Sequence, residues 1–147
     1  MRRDIRNICL AILILVAVPL AFAFDKDAMD ISEKDVRDKE GIVSRIPSTM
    51  EEADKMMPIA PVRSRFLLFT KDGTDVMWGA FGNGYFKGED NHGKFTLGIY
   101  GKTVFAGFYD GEFFYGRYRN GNWKAFGLFG KKKSSGKYKV FPSPYPA

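Results

Sequence analysis

Side chains able to do chemistry are few and gather in small groups. Glu89, Asp90 and His92 share one short stretch, and Asp110 and Glu112 flank Gly111. A carboxylate pair is the minimum equipment for acid–base work such as glycoside hydrolysis. Both groups coincide with turn sequences, where acidic side chains ordinarily face water, so catalysis is not expected and a small hydrolase ranks last among the readings. The chain holds one His and one Cys, Cys9, which leaves too few ligands for a zinc or copper site of the usual type. No metal and no cofactor is expected.

Two further groups suit binding better than catalysis. Lys131, Lys132 and Lys133 are consecutive, and Arg117, Arg119, Lys124, Lys137 and Lys139 lie around them in sequence. If they share a surface, they would attract a polyanion or an anionic membrane surface. The competing explanation is a set of gatekeeper charges on an otherwise sticky sheet. Trp78, Tyr100, Tyr109, Tyr115, Tyr118 and Trp123 form the other group. Exposed rings of this kind stack on sugars or build a protein interface, although core packing accounts for most rings in a small β domain.

The elements that must position these residues are short strands. From Arg65 onward, apolar and aromatic segments alternate with the turns Asp72-Gly73, Asn83-Gly84, His92-Gly93, Gly101-Lys102, Asp110-Gly111 and Asn120-Gly121, and a last turn falls around Lys131 to Ser135. Asn-Gly and Asp-Gly supply the positive φ angles that tight hairpins require. The segments predict strands over 65–70, 75–81, 85–90, 94–100, 103–109, 112–119, 122–129 and 136–141. The fold class is all-β: an antiparallel meander of seven or eight short strands, curled into a strongly bent open sheet or a small up-and-down barrel.

A second regularity runs through the same strands. Gly79, Gly88, Gly98, Gly107, Gly116, Gly127 and Gly136 recur every 9 to 11 residues. Two residues beyond each stand Phe81, Asp90, Tyr100, Tyr109, Tyr118, Phe129 and Tyr138, aromatic at every position but Asp90. Residues two apart in a strand share a face, so rings should cover the bare glycines and the sheet should coil sharply. Trp78, Phe95, Leu97, Ile99, Val104, Ala106, Phe108, Phe113, Tyr115, Phe126 and Leu128 would form a second apolar layer on the opposite face. Neither face suits full exposure to water, so the sheet should curl into an open or nearly closed barrel, or bury one side against the N-terminal spacer or another subunit.

Segments such as Phe86-Lys87-Gly88-Glu89-Asp90 and Tyr115-Gly116-Arg117-Tyr118-Arg119-Asn120-Gly121-Asn122-Trp123 resemble MORN repeats, whose hairpins carry a Tyr-x-Gly-x-Trp core and an Asn-Gly turn. The resemblance spans about residues 78–129. The spacing from Gly79 to Gly98, Gly116 and Gly136 is 19, 18 and 20 residues, shorter than in that family. The resemblance implies a stacked-hairpin sheet and an interaction role rather than an activity.

Three segments surround the repeat. Residues 1–23 have Arg2, Arg3 and Arg6, then an uncharged apolar run from Ile8, ending Ala21-Phe22-Ala23, the three parts of a signal peptide. The expected location is therefore extracytoplasmic, secreted or cell-surface, the alternative being anchorage by an uncleaved N-terminal segment. Residues 24–62 carry 10 acidic and 6 basic residues and read as a flexible acidic spacer with candidate helices over 31–40 and 50–57. Ser48 and Glu51 would cap the second, and Met50, Ala53, Met56 and Met57 would dock it to the sheet. Residues 63–141, with 14 basic and 6 acidic residues, form the β domain, and the Pro-rich tail 142–147 ends it.

The functional expectation is an exported, non-enzymatic interaction module that binds an envelope polymer or a protein partner. A self-associating structural envelope protein, a homo-oligomer with buried apolar faces, is the alternative. Nucleic acid is not an expected partner, because an exported chain does not meet it.

Overall fold

The computed structural model describes residues 28–145. The segment read as a signal peptide, together with Cys9, lies outside the described residues. Eight strands run in sequence order: β1 (Ser64–Thr70), β2 (Val76–Gly82), β3 (Tyr85–Asp90), β4 (Phe95–Tyr100), β5 (Val104–Tyr109), β6 (Glu112–Arg119), β7 (Asn122–Phe126) and β8 (Ser134–Phe141). Every neighbouring pair is antiparallel, and β8 pairs back onto β1, Arg65 opposite Phe141 and Thr70 opposite Gly136, so the meander closes into a barrel. Closure removes both sheet edges.

The glycine face is the inner face. Gly79 stands opposite Gly88 and Gly98 opposite Gly107, so backbones of adjacent strands approach with no side chain between them. A Cβ on Gly98 would lie 2.5 Å from Phe86 Cζ and 2.8 Å from Gly107 Cα. The rings that cover the glycines are not the ones two residues along the same strand. Phe86 and Phe105 reach from the neighbouring strand towards Gly98 and Gly116, and Phe66 reaches from β1 past β2 towards Gly88 on β3. Phe81, Tyr100, Tyr109, Phe129 and Trp123 complete the interior with Phe114.

The seventh strand is shorter than its sequence suggests. Gly127 takes φ 87° and Phe129 φ 58°, and a 3₁₀ turn over Leu128–Gly130 replaces the last residues of the expected strand. Leu128, expected on the outer layer, is turned inward with Phe129 by this reversal, and both are buried. Phe129 packs edge-on to Tyr109, 5.7 Å between ring centres, and closes that end of the barrel.

The outer apolar layer is covered in part by the chain itself, while Trp78, Phe95 and Phe126 stay exposed. The stretch expected to be a flexible spacer forms α1 (Glu33–Arg37), α2 (Lys39–Val43) and α3 (Met50–Met56), packed on the wall. Ile31, Val36, Ile42 and Ile46 bury Ile99, Val104 and Ala106, while Ala53 and Met57 meet Ala80. Helices of this length are not stable alone; burial of apolar surface on the barrel, at roughly 25 cal/mol per Å², supplies what propensity does not. The cap of α3 lies one residue beyond the expected position: Thr49 Oγ1 accepts from Glu52 N, and the Glu52 carboxylate accepts from Ser48 N. Asp54 then anchors α3 by accepting from Arg63 (2.5 Å) and Lys87 (2.6 Å).

Because Gly98 has no room for a side chain, Gly98→Ala should destabilise the barrel by about 1–3 kcal/mol. The measurement is a urea unfolding midpoint. An unchanged midpoint would mean that the wall can spread at this contact.

Candidate functional site

The barrel has two unlike ends and two unlike sides, and the candidate residues distribute among them. The end carrying the β3–β4 turn is polar. Asp90, the one non-aromatic member of its repeat, is 1% exposed. Its Oδ1 accepts from the N–H groups of His92 and Lys94, both at 2.9 Å, and its Oδ2 accepts from the Tyr109 hydroxyl at 2.5 Å. Asp90 therefore does for its turn what a ring does elsewhere: it fills the inner position, and it satisfies two turn donors in addition.

Burial pushes the Asp90 carboxyl up, but the Tyr109 hydroxyl and the two N–H groups outweigh it, and the group titrates below its ordinary range. Burial first and Asp90 second push the Tyr109 hydroxyl up. Nearby, Asp75 accepts from Lys131 at 2.5 Å and lies 3.5 Å from His92 Nε2, while Lys94 pairs with Asp110 at 3.2 Å. Of the acidic groups considered for hydrolysis, Asp90 is thus held by turn donors and Tyr109, and Asp110 pairs with Lys94. Among the described residues, no group of three or more His, Cys, Asp or Glu side chains is placed to hold a metal ion.

Most of the candidate ligand-stacking rings face inward. Tyr100, Tyr109 and Trp123 are buried, and Tyr118 is half-buried with its hydroxyl donating to Gly101 O at 2.5 Å. Trp123 stands opposite the bare Gly136, and its Nε1–H is shared between the carbonyls of Lys137 (3.0 Å) and Phe69 (3.2 Å). These four are core residues, because the two-residue period that relates most of them to the glycines also puts them on the inner face. Trp78, 44% exposed, and Tyr115, stacked on Phe126 at 5.2 Å, remain on the outer wall.

The basic residues do share a surface. The outward positions of β6, β7, β8 and β1 carry Arg117, Arg119, Lys124, Lys137, Lys139 and Arg65, all exposed. Apart from Glu112 at the start of β6, these four strands contain no acidic residue. Register sets Arg117 directly opposite Lys124 and places Lys137 opposite Asn122. Lys133 lies 5.8 Å from the centre of the Phe126 ring. A groove of about 530 Å³ between α1 and this wall is lined by Arg37, Arg117, Lys124 and Lys133 together with Tyr115 and Phe126. Glu33 of α1 reaches Arg117 at 3.6 Å.

Lys131 and Lys132 do not add to this face in the same way. Lys131 is bound to Asp75 at the polar end, which raises its pKa, and Lys132 is exposed in the turn before β8. Arg65, on the first strand, belongs to the face but is far from the others in sequence. Only the pairing of β1 with β8 brings it there. Compared with protein-family models, with curated proteins and with solved structures, the chain matches none.

A carboxylate with a lowered folded-state pKa contributes stability that is fully present above its unfolded value and lost as pH falls through the folded one. Tyr109→Phe should therefore lower stability at pH 7 by about 1.5–3 kcal/mol. The deficit should shrink below about pH 4, where Asp90 begins to protonate in the unfolded chain. Thermal melts across that range check it; a deficit independent of pH would assign the loss to packing alone.

Proposed function

We propose that this chain is an exported, non-enzymatic binding module whose β6–β7–β8–β1 face engages an anionic polymer of the cell envelope. The observation that carries the reading is the register of Arg117 opposite Lys124 within an exposed face that has cations on four successive strands. Like charges directly opposite on an antiparallel pair oppose folding. Stability does not call for them, and a long anionic partner does. Gatekeeping against edge pairing is a weak alternative, since a closed barrel has no edge to guard.

The distribution of the remaining surface supports the same side. α1, α2 and α3 lie on the wall from β2 to β6, and part of the outer apolar face that would favour self-assembly is thereby buried within the chain. Tyr115 and Phe126 add flat apolar surface beside Arg117 and Lys133, which suits a polymer whose units alternate charged groups with ring faces. An electrostatic face of this kind recruits its partner quickly and weakens as salt screens it.

The test separates stability from binding in one substitution. Lys124→Glu turns the repulsive cross-strand pair into an attractive one, so it should raise stability by about 0.2–1 kcal/mol. The same change should weaken retention on dextran sulfate and polyphosphate about tenfold or more at low salt. Fluorescence anisotropy with labelled polymers reads the second effect and thermal melts the first. Unaltered polymer binding would overturn the assignment of this face.

A further inference from the structure

The described residues leave the barrel interior incompletely filled. A cavity of about 100 Å³ lies inside the wall, lined only by apolar and aromatic side chains. Phe86, Phe105 and Phe114 form its deep side and are buried. Phe66, Leu68, Tyr138 and Val140 form its other side on β1 and β8, and they remain half-buried although they point inward. Inward side chains that water still reaches mean that the packing is incomplete on the β8–β1 side. The end carrying the β3–β4 turn is plugged by Phe129 on Tyr109, so access comes from elsewhere.

An apolar cavity does not retain water well, because a buried water needs two to four polar partners. Its volume is about two thirds of an engineered cavity of ~150 Å³ that takes up benzene, so it accepts a single slender chain of about four carbons and not a pair. The rest of a longer chain would lie along the half-exposed rim. Charge selects the head group: Arg65 precedes Phe66, Arg119 follows Tyr118 and Lys139 follows Tyr138, and all three cations are exposed.

We propose that the barrel binds a free single-chain anionic amphiphile of the fatty-acid class, with its alkyl end between Phe86 and Phe114 and its carboxylate outside, near Arg65, Arg119 and Lys139. The alkyl site is the inside of the wall; only the rim cations Arg65, Arg119 and Lys139 are shared with the outer face assigned to polymer. Contacts to Phe86 and Phe114 read the first, and Lys124→Glu reads the second, so the two can fail separately.

The experiment is an NMR titration of the protein with butanoate, hexanoate, octanoate and decanoate. Affinity should rise about fourfold per added methylene and level off once cavity and rim are occupied. Nuclear Overhauser contacts should join the ligand's terminal methyl to the Phe86 and Phe114 rings. Val140→Phe, which fills the cavity, should abolish those contacts and reduce decanoate affinity at least to that of butanoate. Should that variant fail to fold, the contacts in the unaltered protein decide alone. Binding without a chain-length dependence, contacts confined to outer-wall rings such as Trp78, or no binding of decanoate would each overturn the proposal.

Discussion

An eight-stranded wall made of strands this short leaves little volume inside, and side chains from neighbouring strands compete for it. Everything else in the molecule depends on how that competition is settled. The paired glycines let backbones close on one another, and rings from adjacent strands occupy the space that Cβ atoms would have taken. The result is a tightly bent sheet in which β8 reaches β1. Without the bare inner line, the wall would flatten and present two open edges.

Closure then frees the outer wall from structural duties, and the chain uses it unevenly. On one side the outward residues of β4 and β5 are apolar, and the N-terminal helices exist because that surface is there to bury them. The relationship is reciprocal, since Ile99, Val104 and Ala106 would otherwise face water. On the other side the outward residues are cationic, and among the described residues their contacts include Glu33 with Arg117 and Asn122 with Lys137. An acidic segment and a basic domain coexist in one chain with little mutual neutralisation, because the apolar contacts decide where the acidic segment lies.

Sequence made the strands legible because turn chemistry is local: Asn-Gly and Asp-Gly force the chain to reverse within two residues, and the observed strands begin and end within a residue or two of these signals at most positions. The exception, the end of β7, has a physical source. Phe129 adopts φ 58°, a conformation that no propensity assigns to an aromatic residue and that tertiary packing on Tyr109 and Trp123 imposes. The spacer was legible in part: its candidate helices over 31–40 and 50–57 overlap α1, α2 and α3, whereas the docking of α1 and α2 depends on a wall assembled later in the chain. Among the candidate site residues, the basic face was legible once strand period was applied; of the aromatic candidates, expected to be mostly core, Trp78 and Tyr115 stay on the outer wall, and the glycine spacing places Tyr100, Tyr109 and Tyr118 beside the inner line. Arg65 and the interior cavity carried no signal, since both depend on closure of the ring.

The pairing of β1 with β8 also sets when the chain can become a barrel. Residues 65–70 wait for residues 136–141, so the last contact formed joins segments separated by most of the domain. Such non-local pairing delays folding relative to a sheet that grows hairpin by hairpin. Until the final strand is available, the ring lacks its closing member. The same geometry ties the wall to its number of hairpins: a linear array tolerates one more or one fewer, whereas removing one from this ring would part β8 from β1.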